Sequence, residues 1–140
     1  MIKVIAIGTK MPKWIEDGIK HYQKQLKKFE IITIKNSNKK TEGQKLLAKS
    51  SGAIIVMDEK GESLTSIEFA KKISDLEEIS DISFLIGGAD GVSDEVRNNA
   101  KLLISLSKMT MPHSLARLVL VEQIYRAKSI LANHPYHREG

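Results

Sequence analysis

The stretch Ile82-Ser83-Phe84-Leu85-Ile86-Gly87-Gly88-Ala89-Asp90-Gly91 runs a nearly continuous apolar segment into a glycine-rich turn. A segment with no alternation between a wet and a dry face suits a strand covered on both sides. The glycines after it allow a sharp turn and a close backbone approach to a ligand, with no Cβ in the way. Four more segments have the same character: Val4-Ile5-Ala6-Ile7 closed by Gly8, Ile31-Ile32-Thr33-Ile34, Ala53-Ile54-Ile55-Val56-Met57 stopped by Asp58-Glu59-Lys60-Gly61, and Leu102-Leu103-Ile104-Ser105-Leu106.

Helical patterns separate these strands. Pro12 opens one in which Trp14, Ile15, Ile19, Tyr22, Leu26 and Phe29 recur at spacings near 3.6 residues. Thr41 is placed to cap a helix containing Leu46, Leu47 and Ala48, and Ser63 or Thr65 to cap one that buries Ile67, Phe69, Ala70, Ile73 and Leu76. A short helix follows from Asp94 to Ala100, and a last one starts with Pro112 at its first position and runs to about Ala132. Strands alternating with helices predict an α/β fold with a mostly parallel sheet and helices on both faces. Residues 1–140 read as one domain, without repeats, low-complexity segments or linkers.

Composition narrows the function. The chain is 41% hydrophobic and 28% charged, an ordinary globular profile, and no apolar run approaches the roughly 18 residues of a membrane span. The N-terminus has no signal-peptide pattern, so the expected compartment is the cytoplasm, with no membrane partner. Without cysteine there is no disulfide, thiolate metal site or cysteine nucleophile. The net charge of +5 is unevenly spread: residues 1–49 carry 12 Lys against 4 acids, and residues 50–99 carry 4 bases against 11 acids. Lys20, Lys24, Lys27, Lys28, Lys35, Lys39 and Lys40 suit a polyanion, or form a solvated face. With seven aromatic residues in all, a broad base-stacking platform is not expected.

In a parallel sheet, ligands bind beyond the carboxyl ends of the strands. The three ends richest in chemistry are Met57 to Gly61, Ile86 to Gly91, and Ser105-Leu106-Ser107-Lys108-Met109-Thr110-Met111-Pro112-His113. The glycine turn lacks the G-x-G-x-x-G spacing of dinucleotide folds, and no G-x-x-x-x-G-K-[ST] phosphate loop occurs. An ordinary strand-to-helix turn is the alternative reading. His113, His134 and His137 lack the spacing of a helical metal pair, so no metal is expected.

The last helix is apolar on most sides: Leu115, Ala116, Leu118, Val119, Leu120, Val121, Ile124, Ala127, Ile130 and Leu131. Such a helix is buried nearly all round, which points to a subunit contact or to a central helix under a long loop. Glu122 and Arg126, four apart, can pair along one face, whereas Arg117 lies around the helix from them and is freer to meet a substrate. The tail, Asn133 to Gly140, cannot extend the helix through Pro135. It offers Tyr136, His137 and Arg138, a stacking ring, a near-neutral acid/base and a phosphate clamp. Chain ends are more often frayed than functional.

Together, the glycine turn, the run from Ser105 to His113, Val121-Glu122-Gln123-Ile124-Tyr125-Arg126-Ala127 and His134-Pro135-Tyr136-His137-Arg138 resemble the large-subunit ribosomal RNA pseudouridine-N3 methyltransferase family of the SPOUT class. The likeness follows element order along the whole chain and is dense over residues 85–139. It implies a homodimer with a C-terminal trefoil knot, a topology otherwise nearly absent from proteins. It also implies S-adenosylmethionine, bent, in the knot. The donor's walls would be Met57, Gly87, Leu106, Ser107, Lys108, Met109, Thr110 and Met111, with backbone groups reading the adenine. By the same resemblance Tyr136, His137 and Arg138 would be catalytic in the partner subunit's site; Arg117, from its place on the last helix, is expected to contact the RNA.

The Lys35–Thr41 connection looks shorter than in many relatives, and no separate RNA-binding domain is present, so the assembled ribosome would supply much of the recognition. The expected reaction is methylation of N3 of a pseudouridine. The acceptor is an imide nitrogen that must lose a proton, which His137 or solvent would take. The rival readings are a SPOUT methyltransferase acting on another RNA nucleotide, a non-catalytic ribosome-binding protein, and, more distantly, a flavodoxin-like nucleotide binder.

Overall fold

The computed structural model describes residues 1–138; the last two residues of the tail, Glu139 and Gly140, lie outside them. The elements follow in the order β1 (Ile2–Ile7), α1 (Lys13–Gln23), β2 (Phe29–Ile34), α2 (Lys39–Lys49), β3 (Ala53–Ser63), α3 (Ser66–Glu77), β4 (Ile82–Ile86), α4 (Asp94–Asn99), β5 (Leu102–Ser105) and α5 (His113–Leu131). All five strands are parallel, in the order β2-β1-β4-β3-β5.

Alternate residues of the strands feed two cores. Ile2, Val4, Ala6, Ile55, Ile82, Phe84, Ile86 and Ile104 face α3 and α5. Ile5, Ile7, Ile34, Val56 and Leu85 face α2 and α4, where Leu46 and Val96 close the layer. α1 joins the first face, packing Ile15 and Ile19 against Val121. Burial on both faces explains why the strands read as continuous rather than alternating apolar runs.

Several local expectations are corrected. α1 ends at Gln23, so Leu26 lies beyond it and Phe29 begins β2; both pack on the core, which imitates helical spacing. Trp14 is 63% exposed and forms no part of the core. The cap of α2 is Asn38, whose Oδ1 accepts from the Thr41 N–H at 2.8 Å; Thr41 sits inside the helix. Thr65, not Ser63, caps α3, in a capping box with Glu68. Pro112 is the residue before α5 rather than its first turn.

The largest departure is in β3. The strand does not stop at Asp58 but bulges, so that Met57 and Glu62 both oppose Ile104 of β5. Two contacts explain the bulge. Asp58 Oδ1 accepts from the Lys60 N–H at 2.9 Å and tightens the turn. Gly61 lies so close to β5 that a Cβ there would stand 2.6 Å from the Leu103 carbonyl carbon.

Candidate functional site

Parallel pairing brings the bulge of β3 and the carboxyl ends of β4 and β5 to one edge, where they enclose a cleft of about 350 Å³. That size is within the usual range for small-molecule sites. The β3 bulge gives one wall, the turn after β4 the floor, and the loop from Ser105 to Met111 the opposite wall, with His113 and Ala116 of α5 behind.

The turn is tightly built. The Gly91 N–H donates to the Gly88 carbonyl at 2.9 Å, and Gly91 has φ +77°, a conformation L side chains avoid. A Cβ on Gly87 would stand 2.7 Å from the Gly91 backbone and 2.8 Å from Val92, so only glycine fits there. In the facing loop Ser105 Oγ donates to the Ser107 carbonyl at 2.8 Å, and Ser107 Oγ accepts from the Met109 N–H at 2.9 Å. These bonds hold the loop around Leu106. Met109, 80% exposed, lies at the rim.

The bulge wall is held by charge. Arg97 of α4 donates from Nε and Nη2 to Asp58 Oδ2, at 3.0 and 2.9 Å. The Lys60 backbone N–H, and then Arg97, hold the Asp58 carboxyl below its ordinary range, against the opposing effect of burial. Asp58, Glu59 and Asp90 line the cleft together with basic Lys60 and Arg97 and apolar Met57, Leu106 and Met111.

Of the residues expected to hold a cofactor, Met57, Gly87, Leu106, Ser107, Met109 and Met111 share this cleft, while Lys108 and Thr110 do not line it. Sequence reading missed Arg97, whose pairing with a residue 39 positions away has no local signature, and Ala116, which belongs to the helix behind; His113, the end of the run singled out after β5, lines the cleft. Among the described residues no cluster of three or more His, Asp or Glu is placed to hold a metal ion.

Adjacent strands whose chains leave in opposite directions, here β1 and β4, usually leave a crevice between them. In this fold side chains fill it. Arg117, expected to be free for a substrate, is 3% exposed, and its Nη2 donates to the Ile7 and Gly8 carbonyls at 3.1 and 3.0 Å. Burial pushes its pKa down. Its Nε and Nη1 have no partner among the described residues. Glu42 of α2, also buried, accepts the Ser37 N–H at 2.8 Å and lies beside Gly88.

The described part of the tail, up to Arg138, does not line the cleft, and Tyr136 and His137 dock on the protomer's own helices. Tyr136 packs edge-on against Tyr125, with ring centroids 4.7 Å apart. Its hydroxyl donates to Glu122 Oε2 at 2.9 Å and meets the Tyr22 hydroxyl of α1 at 3.4 Å. Burial, Tyr22 and Glu122 together push its pKa far above the ordinary phenol value. Glu122 and Arg126 pair at 2.9 Å, as their spacing predicts. His137 contacts Arg126, and Arg138 is exposed, with no hydrogen-bond partner among the described residues.

Residues 1–137 match the model of a family described as "Predicted SPOUT methyltransferase". The chain is 42% identical over 138 residues to the ribosomal RNA large subunit methyltransferase H of Prochlorococcus marinus, covering 97% of this chain and 91% of that one. A second such relative, from Chromobacterium violaceum, is 38% identical over 154 residues, covering 99% of each. Among solved structures, a probable methylase family protein from Haemophilus influenzae Rd KW20 superposes with a TM-score of 0.62 at 9% identity, over 99% of this chain and 70% of that one. That likeness is one of fold.

Proposed function

The chain belongs to the SPOUT methyltransferase family, among the ribosomal RNA large subunit methyltransferase H proteins, and on that premise we propose that it methylates N3 of a pseudouridine in large-subunit ribosomal RNA, with S-adenosylmethionine as donor. The observation that carries the reading is the convergence of Met57, the glycine turn at Gly87 and the Leu106–Met111 loop on one cleft at the strand ends.

The cleft fits such a donor. Apolar Met57, Leu106 and Met111 suit an adenine and a thioether stem, and Gly87 and Gly88 form the floor beneath them. With Asp58 paired to Arg97, Glu59 and Asp90 outnumber Lys60 on the lining and leave a small negative balance that favours a cationic ligand. When bound, the sulfonium supplies an already activated methyl group, so the protein's work is alignment and charge management. The Ser107 bonds keep the loop wall in place, and the Asp58–Arg97 pair does the same for the bulge.

The acceptor side comes from elsewhere. None of Tyr136, His137 and Arg138 lines the cleft of their own protomer, which supports a homodimer in which the tail of one subunit completes the site of the other. Half-buried Leu115, Val119 and Ile130 and exposed Leu131 leave apolar surface on α5 for a second copy to cover. Arg138 would hold RNA phosphate, and lysines 20, 24, 27 and 28 would add attraction to the ribosome surface. Arg117 would act from beneath, by holding the end of β1, rather than by direct contact with RNA. In this reading the C-terminal segment threads the knot implied by the family, and the protein acts in the cytoplasm on the assembled ribosome.

The test is nucleoside mass spectrometry of ribosomal RNA from cells lacking the gene. The expected result is loss of one methylated pseudouridine, restored by the gene; an unchanged profile rejects the reading.

A further inference from the structure

Arg126 and His137 meet where the tail folds back on α5, with Nη1 of the arginine 3.0 Å from Nδ1 of the imidazole. A guanidinium has only N–H groups to offer. Nδ1 is therefore the acceptor, and the proton of the neutral ring sits on Nε2. That nitrogen is buried and has no partner among the described residues. The arginine is itself held: Nε and Nη2 reach Glu122 Oε2 at 3.1 and 2.9 Å, and the guanidinium lies 4.7 Å over the Tyr136 ring. The charged and titratable groups around this cluster are Glu122, Tyr125 and Arg126 of α5, Tyr22 of α1 and Tyr136 of the tail.

We propose that His137 is an anchor of the tail and not the proton acceptor of methyl transfer, and that Arg126, oriented by Glu122, is the positioning residue that fixes it. The inference rests on the methyltransferase reading above. A general base needs a free lone pair, and the one His137 has is occupied by an arginine N–H. Protonating Nδ1 would set a second donor against the guanidinium and break the contact that holds the tail. The N3–H proton of the pseudouridine is lost to water as the nitrogen–methyl bond forms and the methyl–sulfur bond breaks. Tyr136 and His137 then serve to present the exposed Arg138 to RNA.

Two measurements on the full-length protein decide this. Long-range proton–nitrogen NMR of the neutral histidine rings should show the His137 proton on Nε2; a proton on Nδ1 overturns the proposal. For transfer kinetics at saturating donor, His137→Asn keeps an oxygen near the Nδ1 position for Arg126 and cannot take up a proton. It should lower kcat by no more than about tenfold and keep the shape of the pH profile, while His137→Ala and Arg126→Met lose more and Arg126→Lys recovers part. A general base is worth roughly a hundredfold or more. Loss of that size in His137→Asn, with disappearance of the acidic limb, overturns the proposal. If the unmodified protein transfers no methyl group to ribosomes, the functional reading falls, and the NMR result alone decides the state of His137.

Discussion

Arg97 grips Asp58 across the β3 bulge, delivering two N–H groups to one carboxylate oxygen at 3.0 and 2.9 Å. Asp58 is mostly covered, with its side chain 11% exposed, while that of Arg97 is 38% exposed. Such a pair lies between a surface ion pair, worth up to about 1 kcal/mol, and a buried one. A double-mutant cycle with Arg97→Met and Asp58→Asn should give a coupling free energy of about 1 kcal/mol in urea denaturation. Additive effects of the two changes would mean that the pair does not hold the bulge.

The same carboxylate makes the fold acid-sensitive. Its pKa is lowered from 3.8, first by the Lys60 backbone N–H and then by Arg97. A group whose folded pKa is depressed stabilises the protein fully above its unfolded value, and the contribution is lost as pH falls through the folded one. Stability should therefore decline below about pH 4, and Asp58→Asn should flatten that decline while lowering stability at pH 7. Urea midpoints at a series of pH values measure both effects. An unchanged acid slope in the variant would assign the sensitivity to other carboxylates.

Gly87 and Gly88 are neighbours with opposite tolerances. A Cβ on Gly87 meets backbone at 2.7 Å, which cannot yield without opening the turn. On Gly88 the nearest atom, at 3.3 Å, is Oε1 at the far end of the Glu42 side chain. Gly87→Ala should cost about 1–3 kcal/mol, the usual range for overpacking, and weaken donor binding at least tenfold by calorimetric titration. Gly88→Ala should stay within about 1 kcal/mol of the parent. Equal effects at the two positions would contradict this assignment of the contacts.

How much of this was legible beforehand depended on how local the cause was. Strands buried on both faces appear as runs such as Ile82 to Ile86, and the three strand ends that form the cleft announce themselves by glycine and loop chemistry. The β3 bulge was not legible. Asp58-Glu59-Lys60-Gly61 has the composition of a terminating turn, and the contact that keeps the strand going is the approach of Gly61 to Leu103, 42 residues away. Arg117 failed for the same reason: a helical wheel places it on a face but cannot say that the Ile7 and Gly8 carbonyls wait there. The cap of α2 was misplaced at Thr41, because a competent side chain does not reveal where the helical backbone begins; Asn38 holds that position.

Arg117 tests what a buried cation without a carboxylate partner is worth. It satisfies two carbonyls through one nitrogen yet leaves two nitrogens, Nε and Nη1, without a partner among the described residues. Arg117→Ala removes the bonds and the volume, and should cost roughly 3 kcal/mol. Arg117→Met keeps much of the volume and discards the orphaned donors, so it should recover at least about 1 kcal/mol of that loss. Equal destabilisation of the two variants, measured in urea, would show that the carbonyl bonds dominate and the desolvation cost does not.

The tail gives the clearest separation of binding from chemistry. Its contacts include Tyr22, Glu122, Tyr125 and Arg126, and none of the described residues after Asn133 lines the cleft. A chain ending at Asn133 should therefore titrate S-adenosylmethionine within about threefold of the full-length affinity, a change of well under 1 kcal/mol. Methyl transfer to ribosomes should fall by a hundredfold or more, because alignment of the acceptor is lost while the donor site stays intact. Reduced donor binding would place the tail in the donor site. Normal transfer would remove Tyr136, His137 and Arg138 from the reaction altogether.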